Sequence, residues 1–249
     1  NIACELCGSC NAKRVFTARD MNWRIPGEFT IVRCADCGLK YINPRPAQSE
    51  IWKYYPETFM SGSAAFSEED MDRMRFIAAP LVKRKKTGSL LDIGCGSGRL
   101  LYYLKKNGWE VHGVEPRAEG AKQAAEKLGP VVFHGRVEDA DFQEGSFDAA
   151  TMVHVLEHIY QPLDMLGNVR RFLKSDGVLM AEVPNIESLE ARIFGKRWAP
   201  IDAPRHLFHF SPRTLEAIVK KAGYSNIRIT HGPEYKGKIM SMSESLRHM

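Results

Sequence analysis

Three groups of residues in this chain have the types and spacing to do chemistry. The first is Leu90-Leu-Asp-Ile-Gly-Cys-Gly-Ser-Gly98, followed by Arg99-Leu-Leu-Tyr-Tyr-Leu104. Glycines at 94, 96 and 98 make a turn without Cβ atoms, so a ligand can touch the backbone. A strand, a glycine turn and a helix N-terminus in that order form a nucleotide-binding element. The second group is cysteine. Cys4-Glu-Leu-Cys7-Gly and Cys34-Ala-Asp-Cys37-Gly are two knuckles that can each direct two thiolates at one ion. The third is histidine. His154 follows an apolar run, and His206 and His209 lie in a stretch rich in aromatics and prolines. A neutral imidazole has a pKa near 6.5 and accepts a proton at neutral pH.

The glycine spacing narrows the ligand. A dinucleotide fingerprint reads Gly-x-Gly-x-x-Gly, with an acidic residue about 20 positions on for the ribose. Here the pattern is Gly94-x-Gly96-x-Gly98, with Asp92 just before it. The next apolar segment ends in Glu115-Pro116, and Glu115 is placed to accept from ribose hydroxyls. An aspartate before the turn suits a ligand with an ammonium group better than one with a pyrophosphate. S-adenosylmethionine has the ammonium, a ribose and no phosphate. Cys95 fills a place in the turn where a small residue is needed.

The cysteines predict a tetrahedral Cys4 zinc site of the closed, structural kind. In a reducing compartment this outranks a disulfide framework. Cys10 is near enough to substitute as a ligand and reads more simply as a surface cysteine. A hairpin around Trp23–Val32 fills the long gap between the knuckles. Such a module is too small to bury its own core, so the metal supplies its folding energy.

The elements that must position these groups follow in order. Residues 1–46 form the ribbon and 47–85 a helical linker or lid. Residues 86–249 form the core, with an insertion at 186–211. Within the linker, 58–67 is loop and Glu68–Lys85 an amphipathic helix interrupted near Pro80. Core strands are expected at Ser89–Ile93, Val111–Val114, Val131–Phe133, Ala149–Val153, Gly177–Val183 and Asn226–Thr230. A last antiparallel strand is expected at Lys238–Met242. Helices at Arg99–Asn107 and Glu119–Leu128 stop at Gly108 and at Gly129-Pro130. Ser211 N-caps a later helix with Pro212 at its first position.

Asp92–Gly98, Glu115, Gly145-Ser-Phe-Asp148 and His154-Val-Leu-Glu-His158 together resemble the successive motifs of class I S-adenosylmethionine-dependent methyltransferases, over roughly residues 86–232. The resemblance implies an α/β fold, a doubly wound, mostly parallel Rossmann-like sheet carrying a small N-terminal zinc-ribbon module. It implies cofactor at the carboxyl ends of the first, second and fourth core strands. It matches Gly135–Ala140 to the adenine-binding turn. Arg136 stands there where the family often has an acidic residue, so Glu138 or the backbone near Val137 takes that role. It places His154 near the sulfonium, and Tyr54 or Tyr55 against the methionine end or in packing. The knuckle running into Asn43-Pro-Arg-Pro46, with Trp198 and Pro204-Arg-His-Leu207, resembles a subgroup acting on sugars and other small metabolites. His206, then His209 and His154, are the candidate bases for a hydroxyl or carbon acceptor. The alternative for His206 is a hydrogen-bonded histidine that pins a loop.

Composition is that of an ordinary globular protein, 44% hydrophobic and 26% charged. A net charge of +5 and pI near 8.8 make a weak case for nucleic acid. Lys83–Lys86 reads as a solvated helix end favouring the dipole, with RNA contact as the alternative. No stretch approaches the ~20 apolar residues of a membrane span, and no secretory signal is visible, so the expected compartment is the cytoplasm. The start at Asn1 reads as a processed or trimmed end. The leading function is methyl transfer to a small-molecule acceptor. The competing ones are an RNA or protein methyltransferase that grips a polymer with its ribbon, and a non-catalytic cofactor-binding scaffold.

Overall fold

The computed structural model describes residues 2–56 and 66–231. In chain order the elements are β1 (Ala12–Ala18), β2 (Phe29–Cys34), β3 (Lys40–Ile42), α1 (Glu68–Arg84), β4 (Ser89–Ile93), α2 (Arg99–Lys106), β5 (Glu110–Glu115), α3 (Ala118–Leu128), β6 (Val132–His134), β7 (Phe147–Val153), α4 (Pro162–Phe172), β8 (Leu173–Glu182), α5 (Leu189–Phe194), β9 (Phe208–His209) and α6 (Pro212–Lys221). The chain divides into two compact units. One comprises residues 1–56, 156–164 and 183–249, and the other 57–155 and 165–182.

The second unit carries a five-stranded sheet of order β6-β5-β4-β7-β8, with every pair parallel. Its central strands β4 and β7 are buried along most of their length because both faces are covered. Leu90, Val111 and Ala149 pack against Leu101 and Leu104 of α2, Ala124 and Leu128 of α3, and Ile77 and Leu81 of α1. Chain order reverses at β4, the topological switch point where open α/β sheets bind ligands beyond the strand carboxyl ends. Helix α1 opens with a capping box between Ser67 and Asp70. It runs through Pro80 without the expected interruption. Phe76 and Pro80 are both solvent-facing, so the carbonyl deprived of its partner at that turn can bond to water.

The first unit is built on an antiparallel sheet of order β1-β2-β3-β9. Three strands come from the ribbon segment and the fourth from residues 208–209. The sheet buries Phe29, Ile31 and Ile42 against Ala191, Trp198, Ile201 and Ala203. The 186–211 stretch, expected as an insertion in the core, therefore packs with the ribbon sheet. The hairpin expected around Trp23–Val32 is instead formed by β1 and β2, joined by a loop over 19–28. Asp20 shapes that loop, its carboxylate accepting from the amides of Asn22, Trp23 and Ile25.

The strand expected at Asn226–Thr230 is not formed. Its alternating isoleucines, Ile227 and Ile229, are half-buried and no described strand pairs with them. The strand expected at 238–242 and most of the loop expected at 58–67 lie outside the described residues. Among the described residues, no helix is long and apolar enough to cross a membrane.

Candidate functional site

In the second unit the sequence from Asp92 to Gly98 folds as a tight turn between β4 and α2. Gly94, Gly96 and Gly98 have φ of 68°, 55° and 80°, the left-handed region that glycine enters without strain. A Cβ on Gly94 would stand 2.7 Å from Val155 Cγ2, and one on Gly98 2.8 Å from Leu128 Cδ1. The turn is thus glycine for room as well as for dihedral angle. Amides of Gly94 and Cys95 both donate to the Val114 carbonyl, at 2.8 and 3.1 Å. Cys95 is buried against Gly113, where its sulfur would meet an added Cβ at 2.8 Å.

Two carboxylates stand at the ends of neighbouring strands. Asp92, at the end of β4, is 4% exposed and accepts from Thr151 Oγ1 at 2.6 Å. Burial pushes its pKa up to about 7. Glu115, at the end of β5, takes one amide on each oxygen, from Gly96 at 2.8 Å and Arg117 at 2.9 Å. Burial raises its pKa too, against those two bonds. A carboxylate oxygen has two lone-pair sites, so each retains acceptor capacity for a hydroxyl. Further along, Val137–Asp139 forms a short 3-10 turn with Val137 buried, and Arg136 pairs with Glu138 at 3.3 Å. His154 lies beyond β7 with φ 54°. It is exposed, and its Nε2 stands 3.6 Å from Glu182 Oε1.

The first unit brings together two other groups. Sγ atoms of Cys4 and Cys37, and of Cys7 and Cys34, are 3.5 Å apart. All four lie within 4.8 Å of one another. The Leu6 and Cys7 amides are directed at Cys4 and those of Asp36 and Cys37 at Cys34. Glycines Gly8 and Gly38, at φ 78° and 85°, allow each knuckle to fold back this way. The donor set and its spacing fit one thiophilic tetrahedral ion.

The second group surrounds His206. Arg205 is fully buried and spends its guanidinium on Asp20, Asp202 and the Tyr54 carbonyl. Its own carbonyl stands 3.0 Å from His158 Nδ1, and Tyr55 Oη is equally close. His206 Nδ1 stands 2.8 Å from the Pro200 carbonyl. Its Nε2 faces Asp202 Oδ2 at 3.7 Å and Glu157 Oε1 at 4.0 Å. Rings of His158 and His206 meet edge to face, with centroids 4.6 Å apart. His209 is buried on β9, and desolvation lowers its pKa to about 3. Burial likewise lowers His158 to about 4.

The histidine candidates therefore differ. His206 sits in a buried polar cluster, His209 is held as a neutral core residue, and His154 lies in the other unit. Tyr55, expected near the cofactor, is a partner of His158. Sequence reasoning passed over Asp20, Arg205, Asp202 and Thr151, and met Glu157 and His158 only as part of the motif that begins at His154. The bond from Arg205 to Asp20 spans 185 positions, and no local pattern announces it.

A parallel sheet of this order, with a glycine turn and two buried carboxylates at its switch point, defines a nucleotide-type cofactor domain of the methyltransferase class. A methyltransferase-domain family model matches residues 66–229, and the chain belongs to that family. It is similar to the ubiquinone biosynthesis O-methyltransferase of Ruegeria sp., at 31% identity over 150 residues, covering 55% of this chain and 60% of the relative. It is similar to the mitochondrial enzyme of that name from Schizosaccharomyces pombe, at 32% over 149 residues, 55% of this chain and 52% of the relative. The chain thus spans only about half to three fifths of these relatives' length. Among solved structures, a methyltransferase from Thermotoga maritima described as S-adenosylmethionine-dependent and a possible histamine N-methyltransferase aligns with TM-score 0.52 and 25% identity, over 67% of this chain and 81% of that one. The 1,6-didemethyltoxoflavin-N1-methyltransferase of Burkholderia thailandensis, solved with its acceptor and S-adenosylhomocysteine, shares the fold with TM-score 0.58 and 20% identity, over 80% and 90% of the two chains.

Proposed function

We propose that the protein transfers the methyl group of S-adenosylmethionine to a small-molecule acceptor, a sugar or sugar-like compound carrying a hydroxyl, carbon or amine nucleophile. The observation that carries this reading is the pair Asp92 and Glu115, buried at adjacent strand ends on either side of the glycine turn. Asp92 is the group for the methionine ammonium and Glu115 the group for the ribose. Gly94, Cys95, Gly96 and Gly98 supply the backbone approach, Pro116 ends the ribose strand, and Val137 and Glu138 serve the adenine. His154 follows the strand nearest the expected sulfonium. Support comes from relatives named for O-methylation in ubiquinone biosynthesis, itself a small-molecule reaction.

When bound, S-adenosylmethionine supplies an activated methyl on a sulfonium. The protein's part is to bind and align, and to accept a proton where the nucleophile carries one. We assign that proton to His206 Nε2. The Pro200 carbonyl fixes the proton of the neutral ring on Nδ1, which leaves Nε2 basic. The facing carboxylates of Glu157 and Asp202 stabilise the imidazolium that forms. The four knuckle cysteines are assigned one structural zinc ion.

Calorimetry with S-adenosylmethionine, with NAD as control and zinc measured on the same sample, tests the cofactor. We expect binding of the first and silence of the second, with stabilisation of about 2.7 kcal/mol at 100-fold excess over Kd. A folded, zinc-loaded sample that binds neither ends the enzyme reading. His206→Ala is expected to lower turnover about tenfold or more, with cofactor affinity unchanged.

A further inference from the structure

The turn from Gly94 to Gly98 carries a serine, Ser97, set between Gly96 and Gly98. Glycine on both sides gives this stretch much conformational freedom to lose, so a turn ready for a ligand needs a tether. Arg99 supplies one. Its Nη1 donates to Ser97 Oγ, and Ser97 is itself buried. Arg99 is also the first residue of α2, the end at which the macrodipole disfavours a cation. The N-cap there is Gly98, which has no side-chain acceptor, and the first turn of α2 holds no acidic residue. A guanidinium in this place does not serve its own helix.

The compensating charge comes from α1. Arg99 Nε stands 3.1 Å from Asp70 Oδ1, with the two side chains 27% and 29% exposed. Asp70 divides its oxygens between two tasks. Oδ2 accepts from the Ser67 amide at 3.0 Å and from Ser67 Oγ at 2.9 Å, within the capping box that opens α1. Oδ1 faces Arg99. The guanidinium lies 5.2 Å from the centre of the Phe66 ring, and that ring meets Tyr102 edge to face at a centroid distance of 5.2 Å. Tyr102 is one turn further along α2. Charge and ring contacts thus fasten the first turn of α1 to the first turn of α2. On the other side of Ser97 the contacts continue, since the Gly96 amide donates to Glu115 Oε2 at 2.8 Å.

We propose that Arg99 is a positioning residue for S-adenosylmethionine, coupling the order of the glycine turn to the docking of the α1 amino terminus. This rests on the reading of Asp92 and Glu115 as cofactor groups. Arg99 acts through Ser97 and needs no contact with the cofactor. A partly exposed ion pair contributes little to stability by itself, so its effect falls on affinity. A ligand that rigidifies the turn binds more tightly when α1 is docked, and by linkage it tightens α1 in return.

The test uses the full chain with S-adenosylmethionine as the probe. Calorimetry is run on the wild type, Arg99→Gln, Asp70→Asn and the double variant. We expect each single variant to bind about fivefold more weakly. The double variant should bind no more weakly than the weaker single one, because both changes break one connection. Hydrogen exchange is followed on the same samples at the amides of Asp70 and Met71, which donate to Ser67 Oγ and to the Ser67 carbonyl. S-adenosylmethionine should slow exchange there in the wild type and leave it unchanged in Arg99→Gln. A pair that only staples two helices would speed exchange in the variants with and without ligand alike and leave affinity as it was, which overturns the proposal. Additive losses in the double variant overturn it as well. A wild type that binds no S-adenosylmethionine refutes the cofactor reading and this coupling with it. Equal binding by all four proteins refutes the coupling alone.

Discussion

The two units solve the problem of holding a site in opposite ways. The second uses neighbours in sequence. Strand, glycine turn, helix and the next strand's terminal carboxylate all lie between Ser89 and Glu115, and parallel pairing sets them side by side. The first uses residues far apart. Asp20, Tyr55, Glu157, Asp202 and His206 come from three separate stretches of chain, held by a buried guanidinium and an antiparallel sheet. One site is carried by backbone conformation and the other by side-chain charge. Damage to each should therefore look different.

The largest effect is expected from Cys34→Ser. Loss of the proposed zinc ion should remove protection from hydrogen exchange across β2 and β3, while β4 and β5 amides stay protected and S-adenosylmethionine still binds. Simultaneous loss in both units would show that the contrast is not a division of stability. Next comes Arg205→Met, which leaves Asp20 and Asp202 buried without the guanidinium that bonds both. It should cost about 3–5 kcal/mol in urea unfolding of the first unit. Glu115→Ala acts on the other side, with an expected loss of about 1–3 kcal/mol in cofactor affinity by calorimetry.

How much of this could be read from the chain follows the same divide. Gly94, Gly96 and Gly98 announce their turn because glycine suits those angles, and at 94 and 98 because only glycine fits the space. Asp92, Glu115 and the five parallel strands follow from local pattern. The knuckles are equally plain, since Cys-x-x-Cys-Gly is a local device. The membership of β9 in the ribbon sheet is not legible, because two residues, Phe208 and His209, carry no period. Nor is the clamp at Arg205, whose partners are chosen by tertiary packing. Ile227 and Ile229 teach the converse. Their alternation promises a strand, but a strand needs a partner, and none of the described strands pairs with them.

The smallest effects separate two aspartates of the second unit. Burial lifts Asp92 from 3.8 to about 7, so between those values the native state binds more protons than the unfolded chain. Its contribution therefore favours folding at the lower end of that window and declines as pH rises through it. Asp148 is the reverse. Lys174, the Ser89 amide and Lys85 hold its pKa well below 3.8, so its contribution is present above 3.8 and lost as the pH falls further. Melting temperature against pH for Asp92→Asn and Asp148→Asn should flatten in the near-neutral and acid ranges respectively. A cofactor that needs ionised Asp92 should also bind more weakly below about pH 7. An affinity that is flat with pH would remove Asp92 from the ammonium.

The pairing of β3 with β9 sets an order of assembly on the ribosome. Lys40 and Tyr41 leave the exit tunnel long before His209 and Phe208, the residues they pair with, have been made. In the interval the nascent chain emits 57–155 and 165–182, everything the parallel sheet requires. That sheet can close while the cysteine knuckles still wait with an unpaired edge, Arg205 not yet present to neutralise Asp20. The segment that carries β1, β2 and β3 is thus made before the parallel sheet and finished after it, its last strand arriving only with Phe208 and His209.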